Sequence, residues 1–457
     1  MPQVFIPIIL VSLLHFCFCT ISYDLNVEGE AQHGYYAKIY LGSPPQEINF
    51  LLDTGSSNIA VACVSPNTQN SKYFHFNEST TLSKLDIAVD LHYTIGHWNG
   101  FLAKDVLHFN NVVIESVIAC MVSINDVFDI SSKFQGLLGL GYTSIALPDS
   151  SVHPFMDSLI ASANVSDVFC LDLCGPYFSS KVHWSQCGKF HMGYISDAYY
   201  NGNIIYTPVY KAWYYHVIIT DFRVGMNHVQ VHCSELNKGR SIVDSGTTEL
   251  YLPLTIYEWT IDEIKRAAKD VPDKFWINDT VACVPTAFFH MSSFPLITIS
   301  FYHTHNTTFN LIISPELYLL PIQAPYTNAT CLKLAIAASE EGFYIGSSIL
   351  KGFYVVFDRG NKQVGFANSS HLDGLIAPPG VVMKPKYTKE DIESCKIDHD
   401  PGPLGMSPLL VILLCSLVLL AIFLLYMLAS WILEHFRMRN DDSDTNSLVG
   451  DEDDDIL

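Results

Sequence analysis

Two short stretches of this chain repeat one another and limit what it can fold into: Phe50-Leu-Leu-Asp-Thr-Gly-Ser-Ser-Asn58 and Ser241-Ile-Val-Asp-Ser-Gly-Thr-Thr-Glu249. Each runs an apolar, strand-like segment into Asp-Thr/Ser-Gly and follows it with hydroxyl residues, which predicts two carboxylates presented on twin turns. Downstream of each, two apolar residues lead into glycine, in Gly136-Leu-Leu-Gly-Leu-Gly141 and in Phe343-Tyr-Ile-Gly-Ser347. Glycine there implies a chain passing tightly beneath the turn. A single repeat at so long a period predicts two similar lobes, with a boundary near residues 195–210, and we divide them as 21–200 and 201–375. A length of 457 residues agrees, because it exceeds what one hydrophobic core usually organises.

Between the repeats the chain is mostly short β-rich or aromatic runs broken by Gly, Asn, Asp and Pro, so the fold class is mostly β. Two helices interrupt the pattern, at Pro154 to Ala163 and at about Leu254 to Lys269, where Ile256, Trp259, Ile261, Ile264 and Ala268 follow the helical period.

The ends carry targeting signals. Val4 to Phe18 is apolar but too short to span a bilayer comfortably, and it predicts a signal peptide over 1–20, although the usual basic segment before it is missing. Leu409 to Leu433 holds no charge and is long enough for a transmembrane helix. Arg437 and Arg439 follow it directly, which places the 434–457 tail in the cytosol and the large domain in the lumen, as in a type I membrane protein. Residues 376–408, with several Pro and Gly and no clear period, predict a stalk. Sequons at Asn77, Asn164, Asn278, Asn306, Asn328 and Asn368 all fall on the lumenal side and fit a glycosylated ectodomain. The net charge of −21 is partly gathered in the tail, no basic patch offers itself to phosphates, and nucleic-acid binding is excluded. The tail ends with Glu452 four residues before Ile456-Leu457, which reads either as an acidic dileucine signal for clathrin adaptors or as a plain solvated tail.

Hydrolysing an amide without a metal, Ser or Cys needs a water nucleophile, a base and an acid. Two carboxylates sharing one proton at roughly 3 Å supply both, because like charges that close do not both ionise. Asp53 and Asp244 are the candidates, neither acid nor base being assigned to one of them alone. Gly55 and Gly246 let the backbone turn and bring N–H groups to the carboxylates, while Ser56 and Thr247 place hydroxyls at the outer oxygens. This chemistry calls for no cofactor and no metal.

The chain resembles the pepsin-type aspartic proteases, and more narrowly their membrane-anchored β-secretase (memapsin) branch. The narrower likeness rests on Gly42-Ser-Pro-Pro-Gln46, Tyr93-Thr-Ile-Gly-His-Trp-Asn-Gly100, Trp213-Tyr-Tyr215 with Val217-Ile-Ile219, and Gly352-Phe-Tyr-Val-Val-Phe-Asp-Arg359. It implies a bilobal β fold from about Gly34 to Ala367 and a hairpin flap over the cleft carrying Tyr93, Thr94 and Trp98. Taken alone, Tyr93 and Trp98 also fit an ordinary aromatic hairpin. The branch has a cleft arginine seven residues after its second catalytic Asp; Tyr251 stands there, with Glu249 just before it, so an apolar or basic subsite is the expectation.

The resemblance also implies disulfides Cys233–Cys395 and Cys283–Cys331. Cys174 matches a family cysteine whose partner position holds Asn368-Ser-Ser370, and a hairpin here would bring Cys174 near Cys187. Cys63 with Cys120 is a further candidate pair, and Cys170 is left over. Cys170, Cys174, Cys187 and His191 imitate a zinc spacing, but an oxidising compartment favours disulfides. The eighteen histidines read as surface residues, with only His303 and His305 close in sequence.

Two functions are then expected. One is an anchored endopeptidase acting on polypeptides in the Golgi, endosome or at the cell surface, with shedding of other membrane proteins' ectodomains as a role. The other is a catalytically silent peptide-binding receptor on the same fold; intact carboxylates and hydroxyls favour the enzyme.

Overall fold

A computed structural model describes residues 21–65, 72–92, 96–125, 127–128, 132–173, 188–269, 271, 281–285, 290–304, 307–322, 329–372, 380–385, 394–395, 416–417 and 419–432. Up to Ile397 the chain forms one compact unit whose described residues are mostly β, in sheets of 13, six, five and three strands among those residues.

The two Asp stretches fold in the same way. Strand Gln46–Asp53 runs parallel to Gly136–Gly139, with Asp53 opposite Gly139. The chain turns at the Asp and returns as Ile59–Ala62, antiparallel to the other side of Gly136–Gly139. In the second half, Arg240–Val243 runs parallel to Gly342–Ile345, and Leu250–Pro253 lies antiparallel on its far side. A strand from far downstream is thus threaded between the two arms of each Asp turn. The fit leaves no space for side chains at the crossings: a Cβ on Gly139 would sit 2.3 Å from the Ser57 carbonyl carbon, and one on Gly346 2.1 Å from the Glu249 oxygen.

Beneath these turns the halves do not separate. The 13-stranded sheet includes Phe353–Asp358 and Gln363–Ser369 from the second half of the chain, and Phe353–Asp358 pairs directly with Val168–Asp172. Tyr200–Pro208 joins the same sheet, so the expected boundary near residue 200 falls within a shared structure. Phe357 stacks on Phe169 at 4.8 Å and meets the Tyr215 ring edge-on at 4.6 Å, all three fully buried. Burying each such ring contributes about 1.5–3 kcal/mol, which makes this junction a core in its own right. Arg359, 6% exposed, closes the end of that strand on Asp157 at 2.6 Å, from helix Phe155–Ala163, and on Asp167 at 3.2 Å.

The second expected helix is Leu254–Ala267. Its buried face runs through Ile256, Thr260, Glu263 and Ile264, with Ile261 half-exposed. Thr260 can take a core position because its hydroxyl donates to the Ile256 carbonyl at 2.6 Å, and Glu263 because it accepts from Asn227 and Arg266.

Several histidines are structural rather than surface residues. His191 and His216 are buried. His191 Nδ1 lies 2.8 Å from Asp24, and His371 Nε2 lies 2.8 Å from the fully buried Asp172, whose other oxygen accepts from Ser369. The bond to Asp172 raises the His371 pKa against the opposing effect of burial.

The expected stalk at 376–408 is partly ectodomain. Gly380–Pro385 adds a strand to the five-stranded sheet beside Thr307–Ile313, and Cys395 is bonded to Cys233. The Pro and Gly that read as linker punctuation bracket a short edge strand. In the separate unit 398–457, residues 416–417 and 419–432 are helical, with Leu419, Leu420, Phe423, Tyr426 and Trp431 exposed. Among the described residues no helix is long and apolar enough to cross a membrane, and the rest of 409–433 lies outside them.

Two expectations follow from these contacts. An ectodomain ending at residue 375 should lose about 2–4 kcal/mol relative to one ending at residue 397, because the Cys233–Cys395 bridge is gone; equal guanidinium midpoints would contradict this. Folded His371 holds its proton more tightly than the unfolded chain. Its contribution is therefore complete below about pH 6.5 and is lost as the pH rises through the raised value. His371→Asn should accordingly lower the melting temperature more at about pH 5.5 than at about pH 8.5; an equal loss at both would contradict the Asp172 pairing.

Candidate active site

The twin turns meet face to face. Gly55 N–H donates to Asp53 Oδ1 at 2.9 Å and the Ser56 hydroxyl to Oδ2 at 2.5 Å. The second turn repeats this, Gly246 N–H donating to Asp244 Oδ1 at 2.9 Å and the Thr247 hydroxyl to Oδ2 at 2.6 Å. Each glycine also makes room for the opposite carboxylate. A Cβ on Gly55 would lie 2.5 Å from Asp244 Oδ2, and one on Gly246 2.2 Å from Asp53 Oδ1. A side chain at either position would push the pair apart.

A role that reading the sequence did not assign belongs to the residue after each Asp. Thr54 N–H donates to Ser245 Oγ at 3.1 Å, and Ser245 N–H to Thr54 Oγ1 at 2.9 Å. The same hydroxyls donate onward across the junction, Thr54 to the Val243 carbonyl at 3.0 Å and Ser245 to the Leu52 carbonyl at 2.6 Å. The only hint in the sequence is that a hydroxyl residue follows Asp in both copies.

Asp53 and Asp244 are 8% and 6% exposed, and each carboxyl group lies against the glycine of the opposite turn. Burial raises the pKa of both, and for Asp53 the neighbouring Asp244 charge raises it further. Hydrogen bonds from the serine, threonine and glycine donors oppose the rise. The pair therefore retains a proton above the ordinary carboxylate range, and that proton belongs to both residues.

The carboxylates face a cavity of about 550 Å³. Leu51, Val127, Phe134 and Leu137 line one side, while Tyr214, Arg240, Ile242, Tyr251, Glu341 and Tyr344 line another. Tyr251 thus lines the cleft, at the position the resemblance implies. Glu249 does not line the cavity: its carboxylate pairs with Lys333 of the neighbouring three-stranded sheet at 2.6 Å. An arginine does reach the cleft, from Arg240 at the start of the strand leading into Asp244.

Of the flap residues, Tyr93 and Thr94 lie outside the described residues. The hairpin arms Ser83–His92 and His97–Phe109 are paired up to His92 opposite His97, and Trp98 is fully buried among Leu91, Leu102 and Met121. The structure joins Cys63 to Cys120 and Cys283 to Cys331, besides Cys233 to Cys395. Cys170 is an unbridged, buried thiol whose pKa burial pushes up to about 12. Cys174 and Cys187 lie outside the described residues, as do Asn278, Asn306, Asn328, Glu452, Ile456 and Leu457. Asn77 and Asn164 are exposed, whereas Asn368 is half-buried within strand Gln363–Ser369.

Comparison with known proteins agrees with this geometry. The family model for eukaryotic aspartyl proteases matches residues 34–369, from strand Gly34–Leu41, which pairs with the strand carrying the first Asp, to the end of strand Gln363–Ser369. A β-secretase of Strongylocentrotus purpuratus is 37% identical over 407 residues, which is 83% of this chain and 74% of that protein. Pepsin B of Canis lupus familiaris is 28% identical over 345 residues, covering 74% of this chain and 81% of its own length. Gastricsin of Callithrix jacchus is 26% identical over 367 residues, covering 76% and 85%. With matching twin turns, paired carboxylates and these relatives, the chain belongs to the eukaryotic aspartyl protease family, as a pepsin-like aspartic-type endopeptidase similar in sequence to β-secretase.

Proposed function

We propose that this protein is a membrane-anchored endopeptidase in which Asp53 and Asp244 together activate a water against a peptide bond. The observation that supports this most strongly is a buried, hydrogen-bonded carboxyl pair opening into a peptide-sized cavity. With one proton on the pair, the ionised carboxylate accepts a proton from water as its oxygen attacks the scissile carbonyl carbon. The protonated carboxyl passes its proton to the carbonyl oxygen, giving a neutral tetrahedral diol. Collapse of the diol breaks the C–N bond; one diol hydroxyl returns its proton to the pair, which delivers a proton to the departing nitrogen. The pair ends with the single proton it began with. The donors at Gly55, Ser56, Gly246 and Thr247 hold both carboxyl groups in place through these transfers.

The rest of the proposal concerns placement. Residues 409–433 form the anchor, consistent with the exposed apolar side chains of the helical part of that segment. The catalytic unit then lies on the lumenal or extracellular side of the secretory pathway, with glycans at Asn77 and Asn164, both exposed. Membrane-tethered catalysis makes ectodomains of other membrane proteins the natural polypeptide substrates. The Glu452, Ile456 and Leu457 tail is offered to clathrin adaptors for retrieval to endosomes.

A secreted ectodomain ending at residue 397 tests the chemistry. Peptide cleavage should be bell-shaped in pH: the acid limb marks protonation of both carboxyl groups, and the other limb marks loss of the shared proton. Asp53→Asn or Asp244→Asn should each lower kcat by about 10³-fold or more while circular dichroism stays unchanged. Cleavage within tenfold of the parent in either variant would overturn the mechanism.

A further inference from the structure

The cavity wall on the Asp244 side has an unusual make-up. Strand alternation puts Arg240 and Ile242 on the same face as Asp244, and Tyr344 lies opposite Ile242 and beside Tyr251 in the same sheet. These five line the cavity with Tyr214 and Glu341. One continuous set of contacts ties the polar members together. The Tyr251 and Tyr344 rings meet edge-on at 6.3 Å, and the Tyr344 hydroxyl donates to Glu341 Oε2 at 2.8 Å. Arg240 Nη2 donates to that same oxygen at 2.8 Å, Nη1 donates to the Tyr214 hydroxyl at 3.1 Å, and the guanidinium lies 5.2 Å over the Tyr214 ring.

Two consequences follow for anything that binds there. The hydroxyls of Tyr214 and Tyr344 are engaged with the ion pair, so these residues and Tyr251 offer mainly ring surface. The Arg240 charge is neutralised at contact distance by Glu341, so each weakens the other's attraction for an opposite charge. The pair is 32% and 39% exposed, a setting in which an ion pair adds little to stability, so stability does not account for its presence. An acidic side chain attracted to Arg240 would be repelled by Glu341 and by the single negative charge of the Asp pair. A basic one attracted to Glu341 would be repelled by Arg240. A neutral aromatic or large aliphatic side chain meets neither repulsion and gains contact with the rings.

We propose that Arg240 and Glu341 act together on this wall as a charge filter, which refuses acidic and basic side chains beside the scissile bond. The proposal rests on the endopeptidase reading and deepens it by naming the two residues that set this refusal. It also differs from a simple apolar pocket, because each half of the filter hides a latent preference of opposite sign.

The test uses the ectodomain ending at residue 397 and a peptide library varied at each position around the cleaved bond. At one position the parent should cleave Phe, Tyr or Leu peptides about tenfold or more faster, in kcat/KM, than Asp, Glu, Lys or Arg peptides. Glu341→Gln should improve Asp and Glu at that position about tenfold relative to Phe, and Arg240→Gln should improve Lys and Arg similarly. The double variant should return to the neutral preference. The same peptides carrying a reduced, non-cleavable bond, measured by fluorescence anisotropy, report the ranking without turnover. No turnover with this binding ranking intact would defeat the endopeptidase reading alone. A parent that prefers charged side chains at every position, or single variants whose ranking matches the parent's in both assays, would overturn the filter.

Discussion

The hydrogen bonds exchanged between Thr54 and Ser245 hold the rest of the structure in register. Each hydroxyl accepts from the opposite backbone N–H and donates to a carbonyl of the opposite strand, all in buried surroundings. Such bonds add only about 0.5–1.5 kcal/mol each, but leaving a buried partner unsatisfied costs about 1–3 kcal/mol. Neither turn is therefore complete without the other. The carboxylates follow the turns, and a fixed separation between them keeps one proton bound at a pH where separate aspartates are ionised.

The surroundings reinforce that lock at two levels. Close in, a distant strand threads each Asp turn, and Gly139 and Gly346 permit crossings that a Cβ would block. Farther out, the sheet shared by Val168–Asp172 and Phe353–Asp358 joins the two halves through the rings of Phe169, Tyr215 and Phe357. Protonated His371 on buried Asp172 ties the end of that sheet most firmly under acidic conditions, in the direction that also keeps a proton on the Asp pair. The cleft thus sits on a continuous, closely packed floor of paired strands and buried rings.

The sequence disclosed the site through features that are local and repeated: an apolar run, an Asp, a glycine and a hydroxyl, twice. What depends on distant partners was harder to read. Nothing near Thr54 points to Ser245, 191 residues away, and nothing near residue 200 shows that its strand pairs with Gln363–Ser369. Gly380–Pro385 reads as stalk in the sequence because Pro and Gly mark both linkers and edge strands; the Cys233–Cys395 pairing that the resemblance implies requires chain beyond residue 375 to dock. In the cleft, the resemblance places Tyr251 through its match to a family position seven residues after Asp244, whereas Glu249 turns away because Lys333 on another sheet receives it. Arg240 belongs to no motif, although its distance from Asp244 along a strand fixes the face it occupies.

The central claim is that the two aspartates act as one titrating unit. A carbon-13 NMR titration of the aspartate carboxyl groups, on the intact ectodomain with Asp53→Asn and Asp244→Asn as assignment controls, measures it directly. Two steps shared by both resonances are expected, one of them displaced well above the ordinary aspartate value of about 3.9. Two independent single steps near that ordinary value would contradict it.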